Sequence, residues 1–222
     1  MAKRGLNRQR EFLRRRGRDC LWRQSILLPD QTSDGVQEYG TFSAQSRGYY
    51  YAPAKNYSGR NRAVMFTSDS RDKEFELNGA LVNGSCTATV RPDIPVGNQD
   101  RIILKETVRI SSVEATRSTG SVDALDVRWV QELLFVFDGT TVFQPGRDVK
   151  VVTDKTTGVS ELHWQTGAQT PAAGTAYVLN VYAWPVWIVT GQPMRRGYEP
   201  GDRNQGPWRC DLRLDDERMR AV

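Results

Sequence analysis

The chain has 222 residues, of which 38% are apolar, 9% aromatic and 26% charged, a composition typical of globular proteins. No stretch approaches the roughly 18 apolar residues of a membrane span, and no apolar segment follows the basic N-terminus, so we expect neither membrane insertion nor a secretory signal. With one histidine and three widely spaced cysteines, the sequence predicts no disulfide framework, no metal site and no cofactor.

The net charge of +5 is unevenly distributed along the chain. Residues 1–23 hold nine basic and two acidic residues, a balance of +7. The remaining residues hold 22 basic and 24 acidic residues, a balance of −2. This distribution predicts that a polyanion or an acidic partner is contacted by the N-terminal end alone.

Residues 1–23 are interpreted as a basic arm with a short helix over 6–16, which ends at Gly17. Few apolar residues are available, so this helix must dock on another surface or fray. The arginine run can contact phosphates without reading base sequence, and an acidic protein surface would suit it equally. The candidate contact residues are Arg8, Arg10, Arg14, Arg15, Arg16 and Arg18.

Residues 24–190 are predicted to form the body of the protein, and within it residues 44–62 to form a long exposed loop. This segment combines four tyrosines with Arg and Gly, and exposed aromatic rings need a surface to lie on. The candidate contacts with another subunit are Tyr49, Tyr50, Tyr51 and Tyr57.

The rest of the body has the pattern of short strands and turns. Apolar residues alternate over 101–110 and again over 128–137, which predicts two half-buried strands. Asp138-Gly139 follows the second and predicts a type I′ hairpin turn. Further strands are predicted around Phe75 and Leu77 and over 86–90, 149–152, 162–164, 176–184 and 186–189. Together these elements predict a mainly β protein, an antiparallel β-barrel or sandwich.

Residues 191–222 are predicted to form an extended arm rather than a core element, because they are rich in Pro, Gly and charge. The apolar residues that could anchor this arm on a neighbouring subunit are Trp208, Leu212 and Leu214.

No motif for enzymatic chemistry is present. The glycine-rich phosphate loops, the zinc-binding helix motif and the nucleophile elbow are all missing. Asp123 and Asp126 could in principle pair as catalytic acids, but the sequence favours solvated acids in a loop. We therefore expect a protein that is not an enzyme.

Three segments carry a resemblance. The first reads Trp164, then Pro171-x-x-Gly174-x-x-Tyr177-x-x-x-x-Tyr182-x-x-Pro185-x-Trp187-x-Val189. The second reads Pro92-Asp93-Ile94-Pro95-Val96-Gly97-x-x-Asp100-Arg101-Ile102, and the third, Cys20-Leu21-Trp22-Arg23, follows the basic helix. Over residues 5–190 the chain resembles neck proteins of tailed bacteriophages, the head-to-tail connectors of the head-closure or stopper type.

The resemblance implies a β-barrel subunit in a homo-oligomeric ring, usually of twelve copies, in the virion neck. The ring would lie below the portal or adaptor and above the tail terminator or tail proteins, with genomic DNA passing through its channel. The protein would be made in the host cytoplasm, and the N-terminal arginines would contact DNA or the portal or adaptor. A tail or baseplate protein with a similar barrel, and a nonspecific nucleic-acid-binding protein that uses its Arg-rich N-terminus, are alternatives.

Overall fold

The computed structural model of the chain describes residues 11–27, 49–67, 85–195 and 206–215. The strands predicted around Phe75 and Leu77 lie outside these residues. The chain divides into two compact units, each built from separated segments rather than from one continuous body. Unit 1 comprises Met1–Phe66, Thr87–Ile102 and Ile188–Leu212, and unit 2 comprises Thr67–Cys86, Ile103–Trp187 and Arg213–Val222.

Strands dominate the described residues. In chain order they are β1 (Cys20–Arg23), β2 (Ser25–Leu27), β3 (Tyr49–Tyr51), β4 (Lys55–Tyr57), β5 (Val64–Thr67), β6 (Ser85–Val90), β7 (Arg101–Leu104), β8 (Val108–Thr116), β9 (Val122–Ala124), β10 (Val130–Phe137), β11 (Val142–Phe143), β12 (Val149–Thr153), β13 (Ser160–Trp164), β14 (Ala176–Ala183), β15 (Val186–Arg195) and β16 (Trp208–Leu214). A 3₁₀ turn covers Gly59–Asn61, and residues 11–16 are helical.

The strands form antiparallel sheets. The largest has the order β4-β1-β7-β15-β16-β6-β5, a second has the order β11-β10-β14-β8, and a third has the order β12-β13-β9. A small sheet pairs β2 with β3. One of these sheets is nearly closed, like a barrel. The mainly β, antiparallel fold class predicted from the alternating pattern is thus confirmed.

The N-terminal segment is part of unit 1 rather than an arm over residues 11–23. The short helix predicted near the N-terminus is present over residues 11–16, and it buries Leu13. The chain then continues into β1, where Cys20 and Trp22 are buried. The arm prediction is wrong for these residues, because two strand residues and one helix residue supply enough apolar surface to anchor the segment.

Residues 206–215 correct the predicted C-terminal arm. β16 is an interior strand of the seven-stranded sheet, with β15 on one side and β6 on the other. Cys210, Leu212 and Leu214 are buried and alternate with exposed polar residues, as in any half-buried strand. Leu212 and Leu214 therefore pack inside this chain and are not available as subunit contacts.

Two further predictions of local structure are corrected. The predicted strand 101–110 is two strands, β7 and β8, and all four residues of β7 are buried because it lies between β1 and β15. The hairpin at Asp138-Gly139 is present, but four residues separate the paired Phe137 and Val142. The Asp138 carboxylate accepts hydrogen bonds from the Thr140 and Thr141 amides. Only Gly139 has a positive φ there, so the turn is not type I′.

The core of unit 2 is formed by the inward-facing residues of β8 to β14. Its largest side chains include Phe143, Trp164 and Tyr177, and the rings of Trp164 and Tyr177 meet edge to face at 5.8 Å. Beside it, Trp129 stacks on Trp184 with ring centroids 6.2 Å apart. Trp129 has a positive φ of 57°, which only tight surroundings can hold in a residue of this size.

Candidate functional sites

The predicted contact arginines are partly placed by the structure. Arg8 and Arg10 lie outside the described residues. Arg14, Arg15 and Arg16 are exposed on the helix, and Glu11 accepts 2.8 Å hydrogen bonds from both Arg14 and Arg15. Because these ion pairs are exposed, they add little to stability. One carboxylate serves two arginines, so the run keeps a net positive charge.

Gly17 allows the end of the helix to approach β5 closely. The Gly17 amide donates to the Leu13 carbonyl, and the Arg18 amide donates to the Val64 carbonyl over 2.8 Å. A Cβ atom on Gly17 would overlap the Leu13 and Val64 carbonyl oxygens and would lie 3.2 Å from the Arg62 Cβ. Glycine is required here by this close contact, and the contact brings Arg62 beside the N-terminal arginines.

The turn between β4 and β5 adds further basic residues to the same place. The Asp19 carboxylate accepts hydrogen bonds from the Gly59 amide and from Arg62 Nε, at 3.0 and 2.6 Å. Arg60, on the 3₁₀ turn, is exposed. Next to this turn, Arg91 donates to Asn61 and lies 5.8 Å from the centroid of the Tyr57 ring.

The four tyrosines predicted to lie on a loop belong to strands instead. Tyr49 and Tyr50 are residues of β3, whose register pairs Tyr51 with Ser25. The half-buried Tyr51 ring has the Arg101 guanidinium 4.1 Å and the Arg23 guanidinium 5.5 Å from its centroid. The loop prediction is wrong over Tyr49–Tyr51 and Lys55–Tyr57, which are strands, and Tyr51 and Tyr57 have arginine partners within the chain. Their role as subunit contacts stays a prediction, as does that of the half-buried Trp208.

Basic residues accumulate in unit 1. Its described residues hold twelve Arg and Lys against five Asp and Glu, a balance of +7, and eleven of the twelve are arginines. The described residues of unit 2 hold eight basic and ten acidic residues, a balance of −2. The charge balance along the sequence is as stated above, but the basic unit of the fold is larger than the N-terminal end; contact of a partner with that end alone stays a prediction. Folding adds seven basic and three acidic residues from beyond residue 23 to the same unit.

Asp100 is the centre of a buried hydrogen-bond network in unit 1. Its Oδ2 accepts from Trp22 Nε1 at 3.1 Å and from the Gly97 amide at 3.0 Å. Its Oδ1 accepts from the Ser25 amide at 2.8 Å and from the Ser25 hydroxyl at 3.1 Å. Burial raises the pKa of Asp100, and these donated hydrogen bonds oppose that rise. The network ties β1 and β2 to the loop that precedes β7.

Asp123 is the centre of a similar network in unit 2. Its Oδ2 accepts from Trp164 Nε1 at 2.6 Å and from the Tyr177 hydroxyl at 2.9 Å. Its Oδ1 accepts from the Ser118 amide at 2.7 Å and from Arg117 Nη1 at 3.1 Å. Asp123 is 1% exposed, so the interpretation of this residue as a solvated acid is wrong.

The alternation of the sequence contained the signal for Asp123. Asp123, Leu125 and Val127 are all buried, whereas the residues between them are exposed. An acid in phase with apolar residues lies on the core face of its strand, where it must find hydrogen-bond donors. The apolar pattern shows the face, but the donors come from residues up to 54 positions away.

The electrostatics of this network follow from its donors. Burial raises the pKa of Asp123. The hydrogen bonds from Ser118, Trp164 and Tyr177 together lower it by more than burial raises it, so the pKa lies below its ordinary value. Burial and the neighbouring Asp123 carboxylate raise the pKa of Tyr177. At neutral pH Asp123 is therefore ionised and Tyr177 protonated, so the Tyr177 hydroxyl donates its hydrogen bond to the Asp123 carboxylate.

The lowered pKa predicts a specific pH dependence of stability. The unfolded chain binds a proton at Asp123 more readily than the folded chain, so the stabilisation by this carboxylate is fully present above its ordinary pKa of 3.8 and is lost as pH falls through the folded value. We expect the difference in unfolding free energy between the wild type and Asp123→Asn to be constant near neutral pH and to shrink below pH 3.8. Urea denaturation from pH 7 downward measures this difference.

Asp126→Asn is the matched control for that measurement, because Asp126 is an exposed carboxylate three residues away. Its unfolding free energy should stay within about 0.5 kcal/mol of the wild type. A difference for Asp123→Asn that does not change with pH would contradict the lowered pKa.

The described residues contain no group of three His, Cys, Asp or Glu side chains placed to hold a metal ion. In the same part of the chain, no helix is long and apolar enough to cross a membrane. Asp100 and Asp123 each have both carboxylate oxygens occupied by donors of their own unit. These hydrogen bonds hold strands and loops in place.

Comparison with known proteins adds no family assignment: the chain matches no known family model, and it has no significant match among curated proteins.

Proposed function

We propose that the chain is a structural subunit of the neck of a tailed bacteriophage, of the head-closure or stopper type, and not an enzyme. In this proposal it forms a homo-oligomeric ring of twelve copies around the DNA channel. The ring lies below the portal or adaptor and above the tail terminator or tail proteins.

The observation that carries the proposal is the role of the residues that resemble neck proteins. Trp164 and Tyr177 of the first segment both donate to Asp123. Trp22 of the third segment donates to Asp100 of the second. Positions that are separated by 41 to 78 residues are thus joined as parts of two buried networks. Residues from all three segments thus take part in the packing of the folded chain, as a structural role for these segments requires.

The chemistry of the two networks supports a structural role. A catalytic carboxylate needs a free oxygen that can reach a substrate proton or carbon. Asp100 and Asp123 are each 1% exposed, and each already accepts four hydrogen bonds within its unit. Both carboxylates are thus used to hold the fold together, as expected for a structural protein.

The decisive experiment is to localise the protein in purified particles. We expect mass spectrometry to detect it in particles purified by density gradient, and cryo-electron microscopy to place a ring of it between portal and tail. Particles assembled without the gene should be heads that lack attached tails, and a plasmid copy of the gene should restore them. Absence from purified particles would refute the proposal. A ring located elsewhere along the tail would favour the tail or baseplate alternative.

A further inference from the structure

We propose that unit 1 carries a composite binding surface for the phosphate backbone of nucleic acid, made of Arg14, Arg15, Arg16, Arg18, Arg60 and Arg62. We call this set the composite arginine surface. It goes beyond the proposed function, because it assigns a ligand and a site to residues whether or not the protein belongs to a virion neck.

The two halves of the surface are distant in sequence and adjacent in the fold. Arg14 to Arg18 lie at the end of the helix, and Arg60 and Arg62 lie in the turn before β5. The Arg18 amide donates to the Val64 carbonyl over 2.8 Å, and Asp19 bonds both Gly59 and Arg62. These contacts hold the turn against the arginine run.

The surface holds six arginines in a unit with a surplus of basic residues. Glu11 accepts hydrogen bonds from Arg14 and Arg15, and Asp19 accepts one from Arg62. The side chains of Arg14 and Arg15 are 44% and 75% exposed, and Arg16, Arg18 and Arg60 are also exposed. Unit 1 as a whole keeps a balance of +7 over its described residues. A surface with this surplus attracts a partner of high negative charge density.

The chemistry of the side chains favours phosphate as that partner. Every member of the surface is an arginine, whose planar fork donates two parallel hydrogen bonds to a phosphate. A duplex carries one negative charge per roughly 1.7 Å of its axis, which matches a continuous basic surface better than the scattered carboxylates of an acidic protein. The members lie at and just after the end of the helix and in a tight turn, which suits contacts to the phosphate backbone rather than to base edges, so we expect binding without base-sequence preference.

The test measures binding of the full chain to a 30-base-pair duplex of random sequence by fluorescence anisotropy, over a series of salt concentrations. Arg60→Ala is the informative variant, because Arg60 is far from the N-terminal run in sequence. We expect its affinity to fall several-fold and the slope of log K against log salt to decrease by about 0.9, the value for one phosphate contact. Arg60→Lys should keep most of that slope, since it keeps the charge.

The control is Arg109→Ala, which removes an exposed arginine of β8 in unit 2 and should leave both affinity and slope unchanged. Circular dichroism checks that each variant is folded, and Arg60→Gln replaces Arg60→Ala if the latter is not. An unchanged slope for the Arg60 variants, or no binding at low salt, would overturn the composite surface. Equal binding of poly-glutamate and of the duplex would also overturn it, and would point to an acidic protein. Absence of the protein from virions would refute the proposed function and leave this result standing.

Discussion

Asp123→Ala is expected to lower the free energy of unfolding by about 4 kcal/mol, because it breaks a buried ion pair and leaves several buried donors without an acceptor. Arg117 is only 10% exposed in its side chain, and Trp164 and Tyr177 are buried. The alanine methyl group cannot accept their hydrogen bonds, and water has little access to replace them. Few single substitutions have a larger effect.

The matched control is Asp126→Ala, which removes the same group from an exposed position three residues further along the chain. Its effect should stay within about 0.5 kcal/mol. Chemical denaturation followed by tryptophan fluorescence compares both variants with the wild type, since Trp164 reports directly on the network. A loss below about 1 kcal/mol for Asp123→Ala would show that this carboxylate does not hold unit 2 together.

Tyr177→Phe separates the hydrogen bond from the packing of the ring. It removes only the hydroxyl that donates to Asp123, while the edge-to-face contact with Trp164 is kept. We expect a loss of about 1 kcal/mol, well below that of Asp123→Ala. If Tyr177→Phe were as damaging as Asp123→Ala, the stability would reside in this one bond and not in the shared carboxylate.

Gly158→Ala should have the second largest effect, a loss of about 3 kcal/mol. Gly158 has a φ of +78°, which strains any residue with a side chain by about 1 kcal/mol. In addition, an added Cβ would overlap the indole ring of Trp129, which is buried and stacked on Trp184. Overpacking a rigid site adds about 2 kcal/mol. Trp129 cannot move away easily, because its amide is bonded to the Gly158 carbonyl at 2.8 Å.

Gly167→Ala is the control that separates these two contributions. Gly167 has the same φ of +78°, but nothing lies within 4 Å of its added Cβ. We expect only the backbone strain, about 1 kcal/mol. Thermal unfolding of both variants compares the two contributions directly. Equal losses for Gly158→Ala and Gly167→Ala would show that the Trp129 ring adjusts to the extra methyl group.

The strands that could be predicted are those whose pattern is local. β13 alternates between buried and half-buried residues, so a period of two is visible over its five residues. β10 and β14 are rich in apolar residues but depart from strict alternation, and register shifts occur where they pair. β7 lacks this signal because all four of its residues are buried. β16 has a regular alternation, but the Pro, Gly and charged residues around it favoured an arm. In such a case the period is a better guide than the composition.

The candidate sites were harder to predict, because their partners come from distant parts of the chain. The acid in phase with Leu125 and Val127 could have been assigned to the core face, but not its pairing with Trp164 and Tyr177. In the sequence, Arg60 and Arg62 lie in the part beyond residue 23, whose charge balance is slightly negative. Only in the fold does the contact at Gly17 place them beside the N-terminal arginines.

The sequence by itself determined the mainly β, antiparallel class, the short N-terminal helix and the surplus of basic charge at that end. These properties depend on neighbouring residues, whose alternation and charge act over a few positions. Only the tertiary structure decided which acids are buried, which apolar residues of the C-terminal segment join a sheet, and which arginines form one surface. Those properties depend on backbone pairing and side-chain contacts between residues 40 or more positions apart, which no local pattern specifies.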